Sequence, residues 1–252
     1  MTTGSAIERV LRETVRRLKD ADPDVLREEI RIVPLGVKDS IGSPKPFTDF
    51  ALQQGEERLV EATFRDKRGQ AFTGFPDSWS GRLEDLLRLP LKESRTRAFF
   101  TAGLNAAGRA LGWCSGTVHC RDDAPGKCGK KFGARLAEAP ERPGNVVIVG
   151  YQPALLQGIS GALGPDRVRA TDLNPKNIGR IVSGVTILDG EKDIEQAAVW
   201  ADTTFITGST LVNGTIDGLL DAFCGKRTVF FGTTIAIPAS LMGWERWCFE
   251  SA

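Results

Sequence analysis

The sequence predicts an α/β protein: a Rossmann-like parallel sheet in the second half, preceded by a smaller α+β domain. Three observations carry this. From Asn145 onward, short apolar runs alternate with helix-length segments, the rhythm of repeated β-α units. Several of those runs are apolar throughout, as strands covered on both faces must be. Before residue 112 the order differs: one helix, a group of alternating strand-like runs, then two more helices. The expected division is 1–111 for the α+β domain, 112–144 for a cysteine-containing connecting loop and 145–252 for the Rossmann-like domain.

The elements follow in order. Ile7, Val10, Leu11, Val15 and Leu18 recur every three or four residues, so 5–20 reads as an amphipathic helix with Ser5 as N-cap. Asp20 to Pro23 breaks it. Residues 29–37 alternate like a strand, with Pro34 marking an edge or bulge. Residues 40–54 read as loop. The runs 58–66 and 70–73 form a hairpin about a turn at Lys67–Gly69. After the break at Phe75-Pro76-Asp77 come a short helix over 80–89, stopped by Pro90, and a longer one over 94–111. The connecting segment is rich in glycine and charge, with a helix expected around 131–139. In the second half strands are expected at 146–149, 168–171, 185–188, 205–207 and 228–231. Helices fall at 153–162, 194–201, 215–223 and 238–247.

Hydrophobic residues make up 41 % of the 252, enough for a core. Basic and acidic side chains number 33 and 32, leaving a net charge of +1 and no electrostatic case for nucleic acid or an anionic membrane. No apolar run approaches the roughly 20 residues a membrane helix needs. The first twenty residues lack the apolar stretch of a signal peptide. A cytoplasmic protein is expected, and a homodimer is a reasonable assembly for such a fold. Five cysteines, an odd number, argue against a disulfide framework in a reducing compartment.

Three segments offer chemistry. Cys114, Cys120 and Cys128 cluster with His119, the one histidine of the chain. Thiolate and imidazole are the donors that soft and borderline metals prefer. The spacing Cys-x5-Cys-x7-Cys is neither a zinc-ribbon pair nor a ferredoxin run. Two readings stand: ligands of a metal ion or iron–sulfur cluster, or small buried hydrophobes. Asp122 and Asp123 either add oxygen ligands or sit in solvent.

The second segment is the turn Gly150-Tyr151-Gln152-Pro153 after the first Rossmann strand. It lacks the GxGxxG pattern, so ordinary NAD binding is not expected, although the helix opening at Pro153 could face an anion. Asp172 ends the second strand, as a ligand contact or a strand-end cap. The third segment, residues 207–215, follows a strand and opens a helix. Thr207, Gly208, Ser209, Thr210, Asn213 and Thr215 read as a binding loop for an oxyanion or polar ligand; helix capping is the plainer alternative. Gly232-Thr233-Thr234 would lie on the same edge. There is no P-loop, HExxH or GxSxG, and a single histidine leaves little room for a Ser-His-Asp mechanism.

The stretch ADTTFITGSTLVNGTIDGLL (201–220) resembles the putative heavy-metal chelation family, as do VIVGYQP, the Asp172-Leu173-Asn174-Pro175 turn, AFTGFPDSWSGRLEDLL (71–87) and GLNAA (103–107). The resemblance implies an enolase-like N-terminal domain, a Rossmann-like C-terminal domain and a shared cleft. Thr207, Gly208, Thr210, Asn213 and Thr215 would line that cleft, with metal or a metal-chelating compound as ligand. The function expected is metal binding, as heavy-metal chelation or the handling of an iron–sulfur or other metallo-ligand. The alternative is a Rossmann-like enzyme using a nucleotide- or S-adenosylmethionine-like ligand. A plainer reading is a subunit whose Trp244 and Trp247 pack on a partner.

Overall fold

A computed structural model describes residues 4–20, 23–139 and 143–252. Ala21 and Asp22 of the expected helix break, residues 140–142 of the expected connecting loop, and residues 1–3 lie outside the described residues. The first part of the chain runs α1 (Ala6–Lys19), β1 (Glu29–Pro34), α2 (Val37–Ile41), α3 (Ala51–Gln54), β2 (Arg58–Phe64), β3 (Lys67–Thr73), β4 (Trp79–Arg82), α4 (Leu83–Leu87) and α5 (Ser94–Ala110). It continues through α6 (Ala124–Ala137), β5 (Val146–Val149), α7 (Pro153–Leu163), β6 (Val168–Asp172), β7 (Ile181–Val182), β8 (Val185–Asp189) and α8 (Ile194–Trp200). The last elements are β9 (Thr203–Thr207), α9 (Ser209–Asn213), α10 (Ile216–Ala222), β10 (Arg227–Phe231), α11 (Ala236–Met242) and β11 (Arg246–Trp247).

The four antiparallel strands lie in the order β3-β2-β1-β4. β1 is an inner strand, not an edge. Pro34 pairs with Val60 of β2 beyond the last β4 pair, Ile32 with Trp79, so its missing N–H interrupts no β4 ladder. The hairpin turn is Arg65–Asp66 rather than Lys67–Gly69, with Arg65 at φ +53°. Gly69 stays in the strand because α5 lies against it: a Cβ there would stand 2.1 Å from the Ala106 nitrogen. Residues 40–54, expected as loop, contain the end of α2 and all of α3. The expected helix over 80–89 is split between β4 and α4.

The seven-stranded sheet has the order β11-β10-β9-β5-β6-β8-β7, parallel except for β7 against β8. Along its strands alternate side chains go to opposite faces. Val147, Val149, Ile206 and Phe230 meet one helical layer, which includes Ile7 and Val10 of α1. Val146, Ile148, Phe205 and Val229 meet the other, with Phe132 of α6 and Leu156 of α7. The segment expected as a connecting loop therefore supplies a core helix. Its glycines serve close packing: a Cβ on Gly129 would stand 2.0 Å from the Ala154 carbonyl oxygen, and one on Gly133 2.5 Å from that of Gly158. The helix expected over 238–247 stops at Met242, before Gly243 at φ +66°, and Arg246–Trp247 then pairs with β10. Trp247 is buried in the core, so it does not offer an exposed docking surface.

Helix α5 belongs to both halves. Phe100 and Leu104 pack into the parallel-sheet core, while Ala98, Phe99, Ala102 and Ala106 pack on the antiparallel sheet. Among the described residues, no helix is long and apolar enough to cross a membrane.

Candidate functional site

From β5 the sheet extends to β6 and β8 on one side and to β9 and β10 on the other. The carboxyl ends of β5 and β9 flank this reversal, where open parallel sheets bind ligands. A cavity of about 440 Å³ opens there. Gly150 makes the approach possible: it has φ +92°, and a Cβ on it would stand 2.6 Å from the Thr207 side chain. The next amide, of Tyr151, donates to Asp172 Oδ2 (2.7 Å), and the Asn174 N–H donates to Asp172 Oδ1 (2.7 Å). Asp172 is thus a strand-end cap and a cavity-lining carboxylate at once.

The residues read as a binding loop all border the cavity, but their polar atoms are not equally available. The Thr207 and Ser209 hydroxyls lie 3.0 Å apart and keep further hydrogen-bonding capacity. Thr210 donates its hydroxyl to the Thr207 carbonyl (2.7 Å). Asn213 Oδ1 accepts from both the N–H and the hydroxyl of Thr215. Gly208 is required by its neighbour, since a Cβ would stand 2.7 Å from the Ile235 nitrogen. The segment forms a one-turn helix, α9, rather than an open loop.

His119, Cys120 and Cys128 form the facing wall. The backbone of Val118 exchanges two hydrogen bonds with Ala252 (2.9 and 3.0 Å), and the same C-terminal stretch brings Cys248 to this wall. The His119 ring meets Phe72 edge-on at 5.3 Å, and its Nδ1 is buried without a partner. Burial lowers this imidazole to about 4, so it is neutral at pH 7. Burial pushes Cys128 up to about 11, against backbone N–H groups of Phe249 and Glu250 that favour the thiolate. Burial raises Cys120 as well, helped by Cys248 and Cys128. All three effects keep the wall uncharged, and a metal binding there must displace thiol protons.

Cys114 does not join them. It is not in the cavity lining; its thiol donates to the Ser115 carbonyl (3.0 Å), and it packs against the parallel-sheet core. Asp122 is also elsewhere, accepting from the Ser43 N–H (3.0 Å), and Asp123 pairs with Lys127 (2.7 Å) in solvent. Among the described residues, no group of three or more His, Cys, Asp or Glu side chains is arranged to hold a metal ion.

Two lining residues escaped the sequence reading. Cys248 lies too far along the chain from the other cysteines to share a spacing with them. Glu57, just before β2, sits among Glu56 and Arg58, with no motif around it. Its carboxyl makes no hydrogen bond or ion pair with the described residues. Burial, then the nearby Asp172 charge, pushes it up to about 7. One side of the cavity is closed by bonds between distant segments. Tyr151 donates its hydroxyl to Asp49 (2.6 Å), Arg180 pairs with Asp49 (3.0 Å), and Gln54 bonds Asn174 (3.2 Å) and Asn177 (3.3 Å).

Residues 137–242, which span β5 to α11, match the family model described as putative heavy-metal chelation. That similarity covers less than half of the chain. Two solved structures of chelation-family proteins of unknown function are similar to this chain. One, from Pyrococcus horikoshii, is 15 % identical, with 91 % of this chain and 79 % of that chain covered and a TM-score of 0.49. The other, from Desulfitobacterium hafniense, is 17 % identical, with 73 % and 72 % covered and a TM-score of 0.45. No curated protein matches the chain.

Proposed function

We propose that the cavity binds a small molecule that carries or chelates a metal ion. In this reading Cys120, Cys128, Cys248 and His119 face the metal, and the Thr207–Ser209 edge faces the organic part. One observation carries the reading: soft donors and strand-end hydroxyls meet in a single cavity at the sheet reversal, within the chelation-family segment. The chelator completes the coordination, because the protein donors alone form no three-membered group among the described residues. The cavity then lies between an N-terminal unit, 1–111, and a C-terminal unit, 145–252, joined by 112–144, with α1 and α6 packed on the latter. Free thiols suit a reducing compartment, so we place the chain in the cytoplasm, as a homodimer.

Titrating metal-free protein with cadmium, alone and with a small thiol chelator, tests this. The ultraviolet thiolate-to-metal band is expected in wild type and in Cys114→Ser, and lost in the Cys120→Ser/Cys128→Ser double variant. Binding should weaken as the pH falls, since each thiol must lose its proton to bind the metal. An unchanged band in the double variant would falsify the assignment. An iron–sulfur cluster in place of a single ion would show as visible absorption in protein made without oxygen.

A further inference from the structure

The cavity has an acidic end that the thiol wall does not explain. Glu57, Asp172 and Glu191 line it there, and no Lys or Arg does among the described residues. Glu56 beside them is neutralised by Lys176 (2.5 Å), and Arg58 turns its guanidinium to the Glu57 carbonyl (3.2 Å). Glu57 itself has no partner, although it stands where the main cavity continues into a side cavity of about 220 Å³. Next to Asp172, the Thr171 hydroxyl is also buried without a partner and lines the same space. Unpaired polar groups in a cavity wall are costly unless something fills them. Phosphates and carboxylates are repelled from this end, and a cation is attracted.

We infer that the cavity takes a ligand bearing an organic ammonium group, seated against the Glu57 carboxylate with Asp172 beside it. The inference uses the cavity of the proposed function but not its metal. An ammonium carries three N–H donors. The free Glu57 carboxylate, the unused lone pairs of Asp172 and the Thr171 hydroxyl are three acceptors. Phe72 and Phe50 in the cavity lining suit the carbon chain that carries such a group. A metal ion asks for more: Asp172 already accepts two backbone N–H groups, and these residues are not part of a metal-holding group. Ammonium binding favours the ionised form of Glu57, whose facing charges are Asp172, Glu191 and the Glu56–Lys176 pair. The carboxyl is raised to about 7, so binding at acid pH releases its proton.

Calorimetry with butylammonium on the full chain tests this. Affinity is expected to be about tenfold higher at pH 8 than at pH 6, the ratio of ionised Glu57 at the two values. Close to one proton per ligand should be released at pH 6 and almost none at pH 8, read from two buffers of different ionisation enthalpy. Glu57→Gln should weaken binding at least tenfold at pH 8 and abolish the pH dependence, with Glu57→Asp restoring it. Neutral butanol should bind wild type far more weakly than butylammonium, a comparison that needs no variant to fold. Equal affinity for the two would overturn the inference. So would equal binding by Glu57→Gln, tighter binding of adenosine monophosphate, or binding of manganese without butylammonium. None of these outcomes touches the cadmium band at the cysteines, so the two readings fail separately.

Discussion

Two of the ionisable side chains that line the cavity are displaced in opposite directions. Glu57 is raised from 4.5 to about 7, and His119 lowered from 6.5 to about 4. The folded protein keeps the Glu57 proton after the unfolded chain has lost it, so this group's stabilisation is complete below about 4.5 and gone above about 7. His119 has the opposite sign. The unfolded chain takes up a proton that the folded protein refuses, so stability falls as the pH drops from about 6.5 to 4. The windows overlap and the slopes oppose, each on the order of 3 kcal/mol across its range. Metal-free wild type is therefore expected to show nearly flat stability from about pH 4.5 to 6.5. Glu57→Gln should expose the acid-side loss from His119, and His119→Gln the neutral-side loss from Glu57. Urea unfolding of the three proteins at half-unit pH steps checks this; three parallel profiles would refute it. The histidine was legible in the sequence because it is unique and lies among cysteines. Glu57 was not, because its character comes from burial and from Asp172, a neighbour supplied only by folding.

At the scale of elements, legibility followed length and periodicity. Every long helix except the first half of α6 was visible, and so was every apolar strand of the parallel sheet, because burial on both faces leaves a continuous signature. The two-residue strands β7 and β11 carry no period. Helix α6 was expected only around 131–139; its first half was hidden by glycines, which ordinarily cost a helix about 1 kcal/mol each. Here two of them admit α7, and the contact is backbone against backbone. Gly129→Ala is expected to destabilise the protein by about 3 kcal/mol, since neither chain can yield at 2.0 Å. Gly126→Ala in the same helix meets only Phe47, at 3.5 Å, and is expected to be neutral or slightly stabilising. Thermal unfolding of the two variants side by side distinguishes packing from propensity; similar midpoints would show that the α6–α7 contact is not tight.

At the scale of the whole molecule, one buried side chain helps to fasten the two sheets together. Asn105 of α5, fully buried, shares its amide N–H groups among the carbonyls of Gln70, Thr233 and Thr234 (2.9 to 3.1 Å) and accepts from the Ile237 N–H (3.0 Å). The Thr234 hydroxyl in turn accepts from the Phe72 N–H (3.0 Å), linking β3 to the turn after β10. Asn105→Ala strands four buried backbone groups and is expected to cost about 3 kcal/mol in urea unfolding, with faster amide exchange at 233–237. A cost below about 1 kcal/mol would mean that water replaces the amide. The sequence showed the helix that carries Asn105 but not this fastening, since its partners come from two separate stretches.

Helix α5 has one flank in each hydrophobic core, and that limits how the cavity can admit a visitor. Rotating the sheets apart would pull Phe100 and Leu104 from one core or Ala102 and Ala106 from the other. The helix is a keel common to both halves, not a hinge. The short helices α2 and α3 sit outside both of those cores, in a small cluster of Ile41, Phe50 and Leu52 with Leu59 and Ala154, tied at the rim through Asp49 and Gln54.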